Sequence, residues 1–598
     1  MTTSSLSPSL LDQDWKRIVK WGSICALTLI IVALVGMPIK LDAKSIINPV
    51  LSLGYVSLFW LPLTFGYLAS SHVVLEGVET PKPGLRDLLT GTCTGAIGGI
   101  GLTVLMLGIE NFDIRDPLIN WGPQLYEILS FGTRELNSSV WIGVGAALGL
   151  LGASLNIISA VLRRAISYAV FVILAAAVFE PALDDMSEGF RLEWLVELLF
   201  EKRGGLRIWP AVILAVAVGV IATVTKGRVK NAVANYRAQE TKQKKQTSVI
   251  LFLVVAALGI ILPIFMGTYV NSLLANVGIF LLLALGLNIV VGLAGILDLG
   301  YVAFFAVGAY TTAVLTSPLS PFFSPELNWA LALLIVIFLA ALTGLVIGAP
   351  VIRMRGDYLA IVTLGFGEII RLLFMSDFLK PYFGGAQGIL SVPGINLGFV
   401  HISGTDPKAI FYLVLIFCGL AVYVSWRLQA SRLGRSWMAI REDEQVAEAM
   451  GINTVNSKLM AFVVGAVLAS FAGAIMAARV GSVFPNSFMI LISIIILVVV
   501  IVGGMGSIPG VFVGAFVLIG VLGGPRQPGL LQEFGQLKLL VYGALLVYMM
   551  LKRPEGLVPS ARRTQELHQE EFLQDSWLKG QNDEDEEQQP AEGEEAQL

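Results

Sequence analysis

Apolar stretches of membrane-crossing length recur about sixteen times between Gly22 and Leu551, and that recurrence leaves few folds open. A helix needs roughly 20 mostly apolar residues to cross a hydrocarbon core of ~30 Å, and inside that core its backbone groups find partners only within the segment. Ten-residue alternating segments of the barrel type are absent. The sequence therefore predicts an all-α, polytopic helical membrane protein. Composition agrees: 14% of the 598 residues are charged and 56% hydrophobic, where a soluble domain carries about 25% charged residues.

The stretches form two groups. Six lie at about 22–39, 49–69, 91–107, 140–162, 165–183 and 208–225, predicting an N-terminal membrane unit over residues 1–225. Residues 226–247 then carry seven basic side chains against one acid, Glu240, and read as a cytoplasmic linker by the positive-inside rule. Ten more stretches follow within residues 248–559, at about 249–266, 273–291, 302–315, 329–351, 359–374, 410–426, 459–478, 488–502, 511–522 and 539–551. Residues 560–598 hold acidic clusters and few apolar side chains, which predicts a solvated, disordered tail. Threading from the basic linker places Arg163, Arg164, the arginines of 427–441, Lys552 and Arg553 on one side. Both termini are then cytoplasmic.

In the first unit Gly91, Gly95 and Gly99 repeat at GxxxG spacing, as do Gly145 and Gly149. Such rows let helix backbones approach, which suits contacts within the bundle or, as the alternative, contacts to a partner. In the second unit Val291-Gly-Leu-Ala-Gly295 resembles Val502-Gly-Gly-Met-Gly506, and each precedes a further apolar helix. Transport folds often contain internal repeats with broken helices beside the permeation path. On that reading Asn288, Gly292, Gly295, Phe304, Phe305, Gly503 and Gly506 border a path; for Asn288, alone in an apolar helix, a packing bond across helices is the alternative the sequence favours. Glu368 and Arg371 stand one helical turn apart inside an apolar stretch and can pair; a neutralised structural pair and a functional relay both remain open.

No GxxxxGK[ST], GxSxG or HExxH occurs, and His72, His401 and His568 are scattered, so no catalytic residue, metal site or cofactor is expected in this chain. Cys25, Cys93 and Cys418 sit in apolar runs and read as packing residues. A net charge of -3 without a basic groove argues against nucleic acid.

One polar segment interrupts the second unit. Residues 427–451 place Arg427, Arg432, Arg435 and Arg441 ahead of Glu442, Asp443, Glu444 and Glu448, between two apolar spans. Arg441 to Met450 has no Gly or Pro and Gly451 is a natural stop, predicting a short helix on the cytoplasmic face. It is either an ordinary solvated loop or a surface on which a separate motor docks.

Several stretches resemble the LivM-type permease subunits of branched-chain amino-acid ABC importers. They are Gly286-Leu-Asn-Ile-Val-Val-Gly-Leu-Ala-Gly295, Phe304-Phe-Ala-Val-Gly-Ala-Tyr310, Met354-Arg-Gly-Asp-Tyr-Leu-Ala-Ile-Val-Thr-Leu-Gly-Phe-Gly-Glu368, Leu433-Gly-Arg-Ser-Trp437, Ala439-Ile-Arg-Glu-Asp-Glu444, Ala447-Glu-Ala-Met-Gly451, Gly503-Gly-Met-Gly-Ser507 and Arg553-Pro-Glu-Gly-Leu557. They keep family order over about half of the chain; the N-terminal unit lies outside the pattern. The resemblance implies a bacterial inner-membrane subunit beside a second permease subunit, two ABC ATPase subunits that bind the ATP, an extracytoplasmic solute-binding protein and an amino-acid substrate. It makes Arg435, Arg441, Glu442, Asp443, Glu444, Ala447 and Gly451 the ATPase-coupling loop. Gln445 replaces the family's acidic residue before the alanines. Permeases of the same class carry urea or short amides, and an ATP-independent secondary transporter is a further alternative.

Overall fold

In a nonpolar surround a backbone can satisfy its N–H and C=O groups only within the segment, so apolar stretches of this length wind into helices. The computed structural model describes residues 10–48, 51–71, 84–132, 138–201, 204–224, 257, 259–351, 354, 357–398, 400–524, 527, 529–531, 535 and 537–559. The expected linker at 226–247 and acidic tail at 560–598 lie outside the described residues. Among the described residues eleven helices are long and apolar enough to cross a membrane. Three apolar helices are shorter: Ile208–Ile221, Val302–Thr316 and Ile508–Leu522. A 15-residue helix such as Val302–Thr316 rises only ~22 Å, short of a ~30 Å core. Such short helices, and the stretch at 249–266 that lies partly outside the described residues, keep the count below sixteen. The described strands are two antiparallel pairs, Ser45–Ile47 with Leu51–Ser52 and Ile395–Asn396 with His401–Ile402. The chain is an all-α multi-pass membrane protein.

It divides into two compact units, Met1–Gly267 with Glu533–Leu537, and Thr268–Gln532 with Lys538–Leu598. The boundary falls after the apolar stretch at 249–266, which the sequence reading had grouped with the second unit. Of that stretch, residues 249–256 and 258 lie outside the described residues.

The first unit contains α1 (Leu10–Leu34), α2 (Leu53–Ser70), α3 (Leu85–Asn111), α4 (Val140–Ile157), α5 (Ala160–Val178) and α6 (Ile208–Val224). The two glycine rows face each other across α3 and α4. A side chain at Gly95 would strike the carbonyl of Gly145, and one at Gly149 would strike that of Gly91. The rows therefore serve packing inside this bundle, where bare backbone lets dispersion contacts form at close range. Trp141, buried, donates its Nε1–H to the carbonyl of Leu129 at 2.7 Å, satisfying the only polar group of its ring.

The second unit contains α7 (Thr268–Leu287), α8 (Val302–Thr316), α9 (Trp329–Val351), α10 (Asp357–Met375), α11 (Pro407–Ala430), α12 (Arg432–Glu442), α13 (Glu444–Ala449), α14 (Thr454–Val480), α15 (Ile490–Gly503), α16 (Ile508–Ala515) and α17 (Lys538–Lys552). Apolar on all sides, α7 forms the centre of the unit: every residue from Ala275 to Leu287 is buried. It continues as a π-helix over Asn288–Leu293, also buried throughout. α14 packs on α7, α8 and α9, tied by Tyr301 Oη donating to Gly465 O at 2.8 Å and Ser470 Oγ donating to Phe304 O at 2.9 Å. Outward-facing Phe338, Val346 and Ile361 are exposed, as lipid-facing side chains of a span should be.

Candidate functional site

The charged segment at 427–451 folds as two short helices. Ser431 caps α12, its Oγ accepting from Gly434 N at 3.2 Å. The sequence predicted a single helix from Arg441 to Met450; instead the chain breaks at Asp443, whose Oδ1 accepts from Gln445 N at 2.8 Å and Val446 N at 3.0 Å. An N-cap carboxylate satisfies the amide donors that the break leaves without i−4 partners. Arg441 and Glu442 thus belong to α12, and α13 starts at Glu444. Gly451 follows α13 with φ +84, the stop the sequence indicated.

This loop is seated on the unit by its apolar side. Trp437 is fully buried and donates Nε1–H to Ser457 O at 2.7 Å; Ile440 and Ala447 are buried as well. Lys458 Nζ stands 2.7 Å from Glu444 Oε1, the lysine side chain 7% exposed. Arg435 points outward and donates to Ala430 O at 3.1 Å. Glu442 and Asp443 are exposed, as are Val446 at 59% and Met450 at 79%.

Arg441 goes the other way. Its Nη1 donates to Gly292 O at 2.6 Å, at the end of the π-helix. Its aliphatic stem lies against Gly295, where φ is +71 and any side chain would collide with it; glycine meets both demands at once. Gly506 N donates to Asn288 Oδ1 at 2.8 Å, and Gln429 Nε2 donates to Gly506 O at 3.4 Å. The two glycine-rich turns that resemble each other in sequence therefore touch, and Arg441 reaches the first of them from the loop. Asn288, Gly292, Gly295 and Gly506 come together here with a loop residue. Gly503 packs on Gly510 instead, and Phe304 and Phe305 are buried in α8. Asp298 lies in the turn segment between the π-helix and α8, 1% exposed, its Oδ1 accepting from Gly300 N at 2.9 Å while Oδ2 has no partner among the described residues. Burial pushes its carboxyl up to about 7, against the lowering effect of the Gly300 amide and the Thr363 hydroxyl.

The Glu368–Arg371 pair forms: Arg371 Nε stands 3.0 Å from both carboxylate oxygens, and Nη1 donates to Asn486 Oδ1 at 3.1 Å. Two residues stand out that sequence reasoning passed over. Trp437, quoted only within a motif, is the anchor of the loop. Arg479, at the end of α14, donates from Nη1 to Asn276 Oδ1 and from Nη2 to Ser272 Oγ at 2.9 Å and Ser272 O at 3.1 Å. Its signal was present: charge threading puts Arg479 at the outer end of its span, where Lys and Arg are scarce.

A helical membrane unit with a charged loop seated on broken-helix turns has the build of a transport permease. The chain matches the family described as branched-chain amino acid transport system / permease component over residues 269–550. It is 40% identical over 305 residues to the high-affinity branched-chain amino acid transport system permease protein LivM of Escherichia coli K12, covering 48% of this chain and 68% of that one. The probable branched-chain amino acid transport permease LivM of Methanocaldococcus jannaschii is 26% identical over 297 residues, 46% of this chain and 84% of its own. LivH of Escherichia coli K12, a permease of the same description, is 26% identical over 293 residues, 47% of this chain and 91% of its own. No solved structure matches the chain. The chain belongs to the branched-chain amino acid permease family, LivM type, and residues before Tyr269 lie outside the family match.

Proposed function

We propose that this chain is a transmembrane permease subunit of an ATP-driven importer for branched-chain or other hydrophobic amino acids. The observation that carries this reading is the 40% identity to LivM over 305 residues. The chain has no P-loop sequence, so ATP is bound and hydrolysed by two partner ATPase subunits. A second permease subunit completes the membrane part, and an extracytoplasmic binding protein delivers the solute. The subunit resides in the bacterial inner membrane with both termini and the 427–451 loop in the cytoplasm, a reading that rests on the positive-inside charge pattern.

The loop is the entrance for energy. Its exposed side offers Val446 and Met450 beside Glu442 and Asp443, an apolar centre with a charged rim of the kind protein interfaces use. Movement of the loop acts on the membrane unit through Arg441, because that side chain is bonded to Gly292. The contact between Asn288 and Gly506 closes the path at the loop end, and it parts when the loop shifts. Reconstitution of the chain with its partners in vesicles tests this: leucine uptake is expected with ATP inside. Uptake driven by a proton gradient without ATPase subunits would contradict it.

A further inference from the structure

A cavity of about 130 Å³ lies within the second unit, at the end of α7 and α14 away from the loop. Its wall includes Phe280, Phe305, Met476 and Ile492, and its exposed mouth includes Asn486 and Met489. A cavity near 150 Å³ admits a molecule the size of benzene, so this cavity as a whole has room for one branched aliphatic side chain.

The polar groups on this cavity are arranged by sign. A guanidinium can only donate, so Arg479 fixes the Oδ1 of Asn276 toward itself and Arg371 fixes the Oδ1 of Asn486. Each asparagine is thereby oriented with its amide N–H pair left to donate. Both asparagines line the cavity. Gln527 also lines it, and its Oε1 is a buried acceptor with no partner among the described residues. Arg479 is bonded to neutral Asn276 and Ser272, and among the described residues no carboxylate pairs with it. Arg479 is half-buried, and a partly desolvated cation without a counter-ion is costly; an arriving anion relieves that cost. Arg371, by contrast, already has Glu368.

The geometry points to a zwitterion site: a free amino acid whose carboxylate is taken by the amides of Asn276 and Asn486 under the charge of Arg479. Its ammonium donates to Gln527 Oε1, and its branched side chain lies on the Phe305 and Ile492 wall. This rests on the proposed function and adds to it the place where this chain itself distinguishes solutes after the binding protein has released them.

The test uses the reconstituted complex with its binding protein, comparing leucine and valine uptake in each preparation. One methylene in an apolar pocket is worth about 10–200-fold in discrimination. Ile492→Phe, which fills the wall, is expected to lower the leucine-to-valine ratio at least about fivefold, and Ile492→Ala to raise it. Gln527→Met is expected to lower uptake of both at least about tenfold, the loss of a hydrogen bond to a charged group, with ATP hydrolysis retained. An unchanged ratio in either Ile492 variant that assembles overturns the side-chain site, and full uptake by Gln527→Met overturns the ammonium contact. Failure of the unmodified complex to take up leucine or valine would strike the parent reading instead.

Discussion

The guanidinium of Arg441 donates from Nη1 to the carbonyl of Gly292 at 2.6 Å, joining a charged loop helix to the last turn of a broken membrane helix. The loop is held to the unit elsewhere by Trp437 and by the Lys458–Glu444 pair, so it is anchored on α14 and linked to α7 at once. A rigid loop with contacts on two helices can change the relation between them, which a loosely solvated loop cannot.

Removing that link is expected to uncouple. Charged hydrogen bonds contribute about 1.5–3 kcal/mol. Arg441→Ala should therefore cut ATP-driven uptake about tenfold or more while the partners still assemble and hydrolyse ATP. Uptake and phosphate release, measured together in vesicles, check this.

Trp437→Ala is expected to damage the loop itself. Deleting a fully buried tryptophan costs about 3–5 kcal/mol, and here it also removes the hydrogen bond to Ser457 O. The thermal midpoint in detergent should fall, and co-purification of the ATPase subunits should fall with it.

The first unit is expected to support assembly without lining the solute path. Gly149→Val drives a side chain into the Gly91 carbonyl, and overpacking of this kind costs about 1–3 kcal/mol. Thermal stability should drop, while leucine uptake per assembled complex stays within about twofold of the unmodified protein.

Stability should also depend on pH through Asp298. Its folded-state carboxyl is raised from 3.8 to about 7 by burial, so the folded state binds the proton more tightly than the unfolded one. The contribution is fully present below 3.8 and is lost as pH rises through about 7. The thermal midpoint should fall across that window, and Asp298→Asn should flatten the fall.

Much of this was legible in the sequence because a bilayer imposes it. Span lengths, the two glycine rows and the loop's position follow from apolar runs and charge placement, and the structure brings Gly95 and Gly149 onto the facing helix as the spacing suggested. The Glu368–Arg371 pair was equally local, three residues apart on one helix. What stayed hidden was long-range. Nothing in the run from Arg441 to Met450 announces that Asp443 will cap a new helix, since a carboxylate there also suits an exposed turn. Nor does sequence separation reveal that Arg441 reaches Gly292, or that Gly506 donates to Asn288, because those contacts depend on how four helices meet. Arg479 was legible as a basic residue at an outer end, but its bonds to Asn276 and Ser272 were not, because those residues lie on another helix.

The central claim is that the 427–451 loop is the cytoplasmic entrance for the energy of ATP, and thiol chemistry at Met450 tests it most directly. Cys25 and Cys418 are buried, so replacing exposed Cys93 leaves a quiet background. Met450 is 79% exposed. Met450→Cys is expected to react with an impermeant thiol reagent in inside-out vesicles and not in intact cells. It should also be shielded, and crosslink to an ATPase subunit, when the complex is assembled. Labelling from the outside of intact cells, or equal labelling with and without the ATPase subunits, would contradict the account.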